Sequence, residues 1–235
     1  MQPLNMVLVA AFPAVVLPPF ASTLEGSLGG GTYPLLTDYL ENLNAEFSEI
    51  EEDRRADLRK MADYVTRKRA SEKEANLVFI CTHNSRRSHM AQIWAQTVAH
   101  HLGLSGVTTY SGGTDATAFN PRAVAAMKEA GFKIKQRNNS SNPVYTVSFA
   151  SGAPSTEAFS KKFSDPSNPQ EDFCAVMVCS QADEACPYVP GAEKRFSIPY
   201  EDPKAFDGTP QESEKYSERS RQIAREMLYL FTRVK

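Results

Sequence analysis

Leu36, Leu40, Leu43, Phe47, Ile50, Leu58, Met61 and Val65 recur at spacings close to three and four. That period describes an amphipathic helix, either one long one or two joined near Arg54, where the stripe lapses. Pro34 suits its first turn, with Thr32 as the cap upstream. Arg67, Lys68 and Arg69 place cations at the negative end of a helix finishing near residue 70. From Asn76 the pattern changes. Leu77–Ile80 is a short apolar run that reads as a buried strand. A polar stretch follows it, then a helix from about Ser88 to Leu102, stopped by Gly103. Val107–Tyr110 is a second strand, and Asn120-Pro121 opens a second helix closed by Gly131.

Residues 135–172 break this order. They are rich in Asn, Ser, Pro and Gly and carry no helical period. Val144, Tyr145, Val147 and Phe149 suggest one strand and Ala158–Phe163 a weak partner, so an inserted hairpin or long loop bordering the site is expected. Phe173–Val178 is a third apolar strand and Lys194–Ile198 a fourth. Thr209-Pro210-Gln211-Glu212 reads as a capping box with Pro at the first helical position, launching a terminal helix bearing Tyr216, Ile223, Met227 and Leu230. Strand alternating with helix gives an α/β fold, a four-stranded parallel sheet flanked by helices. The expected division is residues 1–75 as an extension, irregular then helical, and 76–235 as the catalytic domain, with the insertion at about 135–172.

Composition narrows the partners. With 26 basic and 28 acidic residues, the net charge of −2 gives no electrostatic case for nucleic acid. An anionic ligand must be held by local donors. Met6 to Ala21 is apolar, but no Lys or Arg precedes Arg54, and Pro13, Pro18 and Pro19 interrupt the run. Neither an export signal nor a membrane span is expected from it. The 4 cysteines are too sparse for a disulfide scaffold, which favours a reducing, cytoplasmic setting with thiols used chemically. No metal site is expected, because His89, His100 and His101 share their helix with no ligand at metal spacing.

The chemistry concentrates in Cys81-Thr82-His83-Asn84-Ser85-Arg86-Arg87-Ser88. A thiol ends a strand, and a helix begins after a donor-rich loop. Helix N-termini favour anions, thiolates among them. Arg87 can fork onto a tetrahedral oxyanion with two parallel hydrogen bonds. Cys81 is thus a candidate nucleophile in an anion cradle whose substrate-binding residues are Thr82, His83, Asn84, Ser85 and Arg86. Cys179 also follows a strand's carboxyl end, where open parallel sheets bind ligands. Cys186 lies seven residues further on. If the segment between them is helical, their α-carbons stand roughly 10 Å apart. A disulfide needs them within about 7 Å, so pairing requires unwinding. Cys174, inside a strand, reads as a small buried hydrophobe. Asp202, in an Asp-Pro turn after the fourth strand, is a candidate proton donor.

These residues resemble the low-molecular-weight protein tyrosine phosphatase superfamily, and within it the thioredoxin-coupled arsenate reductases. Cys81 to Ser88 is similar to the family's phosphate loop, where Gly is usual at the His83 position and a second Cys common at the Arg86 position. Tyr110-Ser111-Gly112-Gly113-Thr114 resembles the segment after the family's second strand. Cys179 and Cys186-Pro187 look like the reductases' two resolving cysteines, and Glu201-Asp202-Pro203-Lys204-Ala205 resembles their Asp-Pro segment. Phosphatases tend to carry aromatics where Lys204 and Ala205 stand. The resemblance implies that Cys81 attacks arsenate held by Arg87, Asn84 and the loop amides. Ser88 stabilises the thiolate, Asp202 protonates the leaving oxygen, and Cys179 and then Cys186 carry the disulfide outward to thioredoxin. No bound cofactor is implied. Two alternatives stay open. One is a phosphatase acting on a phosphate ester through Cys81, Arg87 and Asp202. The other is an oxyanion-binding or thiol redox sensor. The arm is expected to pack on the catalytic domain, to cover the site, or to join two copies as a homodimer.

Overall fold

The computed structural model describes residues 31–235, so the apolar run Met6 to Ala21 lies outside the described residues. The chain forms α1 (Pro34–Leu43), a 3-10 turn (Asn44–Glu49), α2 (Glu52–Ala70), β1 (Ala75–Cys81), α3 (Arg87–His101), β2 (Val107–Gly113) and α4 (Pro121–Glu129). Then come β3 (Lys133–Gln136), β4 (Tyr145–Ser148), β5 (Thr156–Ala158), β6 (Phe173–Met177), α5 (Ser180–Ala185), β7 (Ala192–Ser197), a 3-10 turn (Pro203–Phe206) and α6 (Glu212–Phe231).

Four strands make a parallel sheet in the order β2-β1-β6-β7. β1 and β6 are central, and every residue of β6 is buried, as expected of a strand covered on both faces. The chain runs outward to β2 on one side of β1 and returns to β6 on the other. The switch in strand order therefore lies between β1 and β6, where such sheets open a crevice beyond their carboxyl ends. α3 packs on β1 and β2 and carries α6 on its other side. Twelve of its fifteen residues are buried, Trp94 completely, with Trp94 Nε1 donating to Ser220 Oγ of α6 at 2.9 Å.

The extension does not stand apart. Leu36, Leu40 and Leu43 of α1 and Leu58, Met61 and Val65 of α2 are fully buried in the same hydrophobic cluster as β1, β6 and α6. α1 and α2 both contact α6. Tyr64 reaches the sheet edge-on to Phe196 of β7, 6.2 Å between ring centres. Ion pairs from Arg221 and Arg225 to Glu46 close the seam. The apolar stripe is thus satisfied within one chain.

Several boundaries differ from the sequence reading. The arm's helix breaks at Ile50–Glu51, before Arg54, because Ile50 takes an extended conformation (φ −82°, ψ 119°) and turns its side chain into the core. Thr32 does not cap α1. Its hydroxyl pairs with Thr37 Oγ1 at 2.7 Å, and Tyr33 occupies the cap position. α6 starts at Glu212, so Pro210 sits in the preceding turn. The Glu212 carboxylate accepts the Gly208 N–H at 2.6 Å, and Thr209 Oγ1 accepts the Gln211 N–H at 3.3 Å.

The insertion is a three-stranded antiparallel sheet, β3-β4-β5, and not a hairpin. β3 escaped notice because only Ile134 of its four residues is buried. β5 overlaps the expected segment only at Ala158. The chain beyond it is an ordered loop tied to β2, where Asn168 Nδ2 donates to Ser111 O at 3.1 Å.

Because the arm shares the core, truncating a buried arm residue should destabilise the whole molecule. Leu40→Ala should lower the unfolding free energy by about 2–5 kcal/mol in urea titrations, with a single transition. A separate early transition confined to the arm would show that it folds independently.

Candidate active site

Cys81 ends β1, and the loop from Thr82 to Arg86 carries the chain to α3. Asn84 adopts φ +43°, a left-handed conformation that Asn tolerates better than most residues. Its side chain is completely buried and both ends are used. Oδ1 accepts the Lys161 backbone N–H at 2.9 Å, which fixes the amide's orientation. Nδ2 then donates to Ser88 Oγ at 2.8 Å. With its oxygen occupied as acceptor, the Ser88 hydroxyl is free to donate to Cys81 Sγ, 3.1 Å away. Three donors point one way and end on the sulfur.

The loop is clamped from two further sides. Thr82 O accepts the Asp115 N–H at 2.8 Å and the Thr114 hydroxyl at 3.1 Å. Ser160, from the insertion, donates to His83 O at 2.9 Å. The chain after β2 approaches so closely that Gly113 has no room for a side chain. A Cβ there would lie 2.1 Å from Asp115 O, 2.7 Å from Asn84 N and 2.8 Å from Thr82 O. Gly113 is therefore a packing requirement of the loop, whereas Gly112 is required by Phe163, whose Cα a Cβ there would meet at 2.4 Å.

Arg87 opens α3 and is only 7% exposed. Its Nη1 donates to Tyr200 O at 2.9 Å and its Nη2 to Asp202 Oδ2 at 2.8 Å. Asp202 caps the 3-10 turn through Lys204 N at 3.1 Å and remains partly accessible. Arg86 is engaged elsewhere. Its Nε donates to Tyr216 OH at 2.8 Å, and its guanidinium lies 3.8 Å from Asp207 and 3.9 Å from Asp202. Tyr216 OH in turn donates to Asp207 Oδ1 at 2.8 Å; burial and then that contact push the phenol up to about 12. Arg86 thus joins the phosphate-type loop to α6 and to the Asp202 turn.

Of the expected binding residues, His83 is exposed and makes its contacts through its carbonyl. The Ser85 hydroxyl donates to Ala118 O at 2.7 Å. Thr82 is different, since its hydroxyl lies 3.5 Å from Cys179 Sγ.

Cys179 follows β6, which pairs with β1 in parallel register, and its sulfur is fully buried. It caps α5, accepting the Ala182 N–H at 3.4 Å. Cys186 caps the other end of the same helix and is partly exposed. The thiols of Cys81, Cys174, Cys179 and Cys186 are all free. Cys174 is completely buried, and burial drives its pKa upward, away from thiolate chemistry. The wound α5 is held from outside. Asp183 forms an ion pair with Arg195 and accepts the Ser197 hydroxyl at 2.7 Å.

The sequence reading missed the residues that hold this site. Ser160 and Lys161 lie in a stretch without period, and Tyr216 looked like one more apolar position of α6. The one available signal was Asn84 itself, whose buried amide requires partners from outside its own loop.

A cysteine at a strand end, an arginine opening the next helix and an aspartate beside it suit a cysteine-based oxyanion-handling enzyme. The sequence profile of the family described as "Low molecular weight phosphotyrosine protein phosphatase" matches residues 76–150. An arsenate reductase of Bacillus licheniformis is 30% identical over 145 residues, covering 62% of this chain and 86% of that protein. Arsenate reductase 2 of Staphylococcus epidermidis is 33% identical over 127 residues, covering 54% of this chain and 77% of that protein. Among solved structures, an arsenate reductase in the phosphate binding state is 21% identical, with TM-score 0.44 over 68% of this chain and 99% of that one. A low molecular weight protein tyrosine phosphatase from T. tengcongensis is 19% identical, with TM-score 0.47 over 68% of this chain and 99% of that one. The chain belongs to the low-molecular-weight protein tyrosine phosphatase superfamily, near its arsenate reductases.

Two consequences can be measured. Gly113→Ala should fold yet displace the Asn84 segment, and it should weaken protection of Cys81 from alkylation by inorganic phosphate about tenfold or more. Unchanged protection would show that the loop tolerates the added carbon. The second concerns His89, fully buried against Phe119 with ring centres 4.1 Å apart. Burial first, and the Lys161 charge next, hold its pKa well below the ordinary histidine range. Below about pH 6.5 the unfolded chain binds a proton there that the folded chain refuses, so this contribution is complete above that pH and is lost as pH falls. Wild type should lose up to about 1.4 kcal/mol per pH unit more than His89→Gln in urea titrations below pH 6.5. Parallel pH dependences would remove His89 as the cause.

Proposed function

We propose that this protein reduces arsenate to arsenite through a relay of three thiols. The observation that carries the reading is the placement of Cys179 and Cys186. One lies buried beside the Cys81 loop, the other partly exposed at the far end of a single short helix. A hydrolase has no use for that arrangement. The named relatives at about 30% identity are arsenate reductases, which supports the same reading.

In this scheme arsenate binds among the loop amides, Asn84 and Arg87. The Cys81 thiolate, held by Ser88, attacks arsenic. Asp202 gives its proton to the departing oxygen, which leaves as water while a sulfur–arsenic bond forms. Cys179 attacks Cys81 Sγ next. The Cys81–Cys179 bond forms, the sulfur–arsenic bond breaks, and its electron pair reduces arsenic to the trivalent state. Cys186 then attacks Cys179, restoring the Cys81 thiolate and leaving a Cys179–Cys186 disulfide. The two electrons consumed come from the thiols, so no prosthetic group is required.

The last step has a structural cost. With its thiols free, the segment between Cys179 and Cys186 is helical. Six helical residues hold its ends too far apart for a disulfide, so α5 must unwind. Unwinding would expose the bond beside Tyr188, which is already 75% exposed. Thioredoxin, as a cytoplasmic dithiol reductant, then reduces that bond and completes the cycle.

A second reading rests on the Arg87–Asp202 pair, which serves phosphate-ester hydrolysis equally well. Lys204 and Ala205, standing where phosphatases tend to carry aromatics, favour arsenate over an aryl phosphate. Paired Cys179→Ser and Cys186→Ser substitutions separate the readings. Arsenate-dependent NADPH consumption, coupled through thioredoxin and its reductase, should stop within one turnover, and Cys81→Ser should abolish even that. If the paired variant continues to turn over arsenate, or if only aryl phosphate is consumed by the wild type, the relay is excluded.

A further inference from the structure

We propose that Arg54, on the N-terminal arm, is a positioning residue for the oxyanion loop: it braces Pro199-Tyr200 and so sets the Arg87 guanidinium. The inference rests on the reading of Cys81–Ser88 as an oxyanion cradle. It gives the arm a part in the chemistry that packing alone would not.

The brace is continuous from arm to cradle. In α2, Arg54 Nη2 donates to the carbonyl of Pro199. Its guanidinium lies over the Tyr200 ring, 5.1 Å from the centroid. Its Nε faces Glu226 Oε2 of α6 at 3.2 Å, and that carboxylate is only 3% exposed. Gln222 Nε2 donates to the other Glu226 oxygen at 3.0 Å. Pro199-Tyr200 is the strip that leaves β7 and leads to Asp202. Tyr200 N donates to Val178 O at 3.1 Å, and Tyr200 O accepts Arg87 Nη1 at 2.9 Å. The same guanidinium then takes Asp202 through Nη2 at 2.8 Å. Arg54 therefore touches the residue whose carbonyl aims Arg87, two positions before the carboxyl group placed for proton transfer.

An ion pair serving stability alone would not need this geometry. A buried Glu226 is neutralised by any cation, and a lysine would suffice. Arg54 instead distributes a planar fork over three partners, the Glu226 carboxylate, the Pro199 carbonyl and the Tyr200 ring. A single ammonium cannot meet all three at once. The buried Tyr200 phenol, whose pKa is held well above the ordinary range by burial and then by Glu226, stays neutral and keeps the strip free of competing charge.

Arg54→Lys separates positioning from stability, since it keeps a positive charge beside Glu226. The readout is alkylation of Cys81 by iodoacetamide, followed by mass spectrometry of the Cys81 peptide over a range of inorganic phosphate concentrations. Phosphate should protect wild-type Cys81; if it does not, the cradle reading fails first and the brace with it. Where wild type is protected, Arg54→Lys should need about tenfold more phosphate for half-protection, with its urea midpoint close to wild type. In an Arg87→Lys background, where the hold on Tyr200 O is already lost, adding Arg54→Lys should change protection less than about twofold. Wild-type protection in Arg54→Lys, or a full additional loss in the Arg87→Lys background, overturns the brace. If Arg54→Lys fails to unfold cooperatively, the Arg54→Met/Glu226→Met pair removes both charges together and carries the test, with the same shift expected. Wild-type protection in that pair also overturns it.

Discussion

The site depends on one directional run of hydrogen bonds. The Lys161 N–H fixes the Asn84 amide, Asn84 fixes the Ser88 oxygen as an acceptor, and Ser88 is left to donate to Cys81. Reverse any member and the sulfur would meet a lone pair in place of a proton. The direction is set at the end furthest from the sulfur, because a backbone N–H can only donate. Asn84 must also hold φ +43° to bring both ends of its amide into place. That conformation persists because the surroundings determine it from several sides: Thr114, Asp115 and Ser160 on the loop backbone, Gly113 beneath it.

Much of this was legible from the sequence, and what was not has physical causes. Cys81, Arg87 and Ser88 could be read because one short segment carries strand end, loop and helix start, each with a local signature. The parallel sheet could be read because its strands are apolar runs alternating with periodic helices. β3 could not, because a four-residue edge strand burying only Ile134 leaves no pattern to find. The start of α6 was misplaced because Thr209 and Glu212 do cap, but with Gln211 and Gly208 in a turn and not with each other. Ser160, Lys161, Tyr216 and Arg54 were invisible as site residues for a deeper reason. They act across the fold, and a residue's value there depends on neighbours far away in sequence.

Those four residues also show where this chain's own character lies. Arg54 comes from the arm; Ser160 and Lys161 come from the insertion. Neither segment belongs to the pattern by which the catalytic loop resembles its family, yet both hold residues that contact it or its supports. Arg86 follows the same logic. It replaces a position where a thiol is common and spends its guanidinium on Tyr216, Asp207 and Asp202. The loop here is secured from outside, by α6, by the insertion and by the arm.

Such fastening makes sense beside α5, which is built the opposite way. Six residues make barely more than one turn and a half, and so short a helix has little stability of its own. Its N-cap is a sulfur, a weaker acceptor than the hydroxyl or carboxylate usual there, and that sulfur is Cys179 itself. It is held by the buried Ala182 and by the grip of Arg195 and Ser197 on Asp183, with side chains partly open to water. A three-thiol relay needs both qualities in one site. The first step requires a nucleophile whose donors never move, and the last requires a thiol that abandons its helix. In the relay proposed above, a disulfide at Cys179 would compromise the cap on α5, so the chemistry itself would weaken the element that has to unwind.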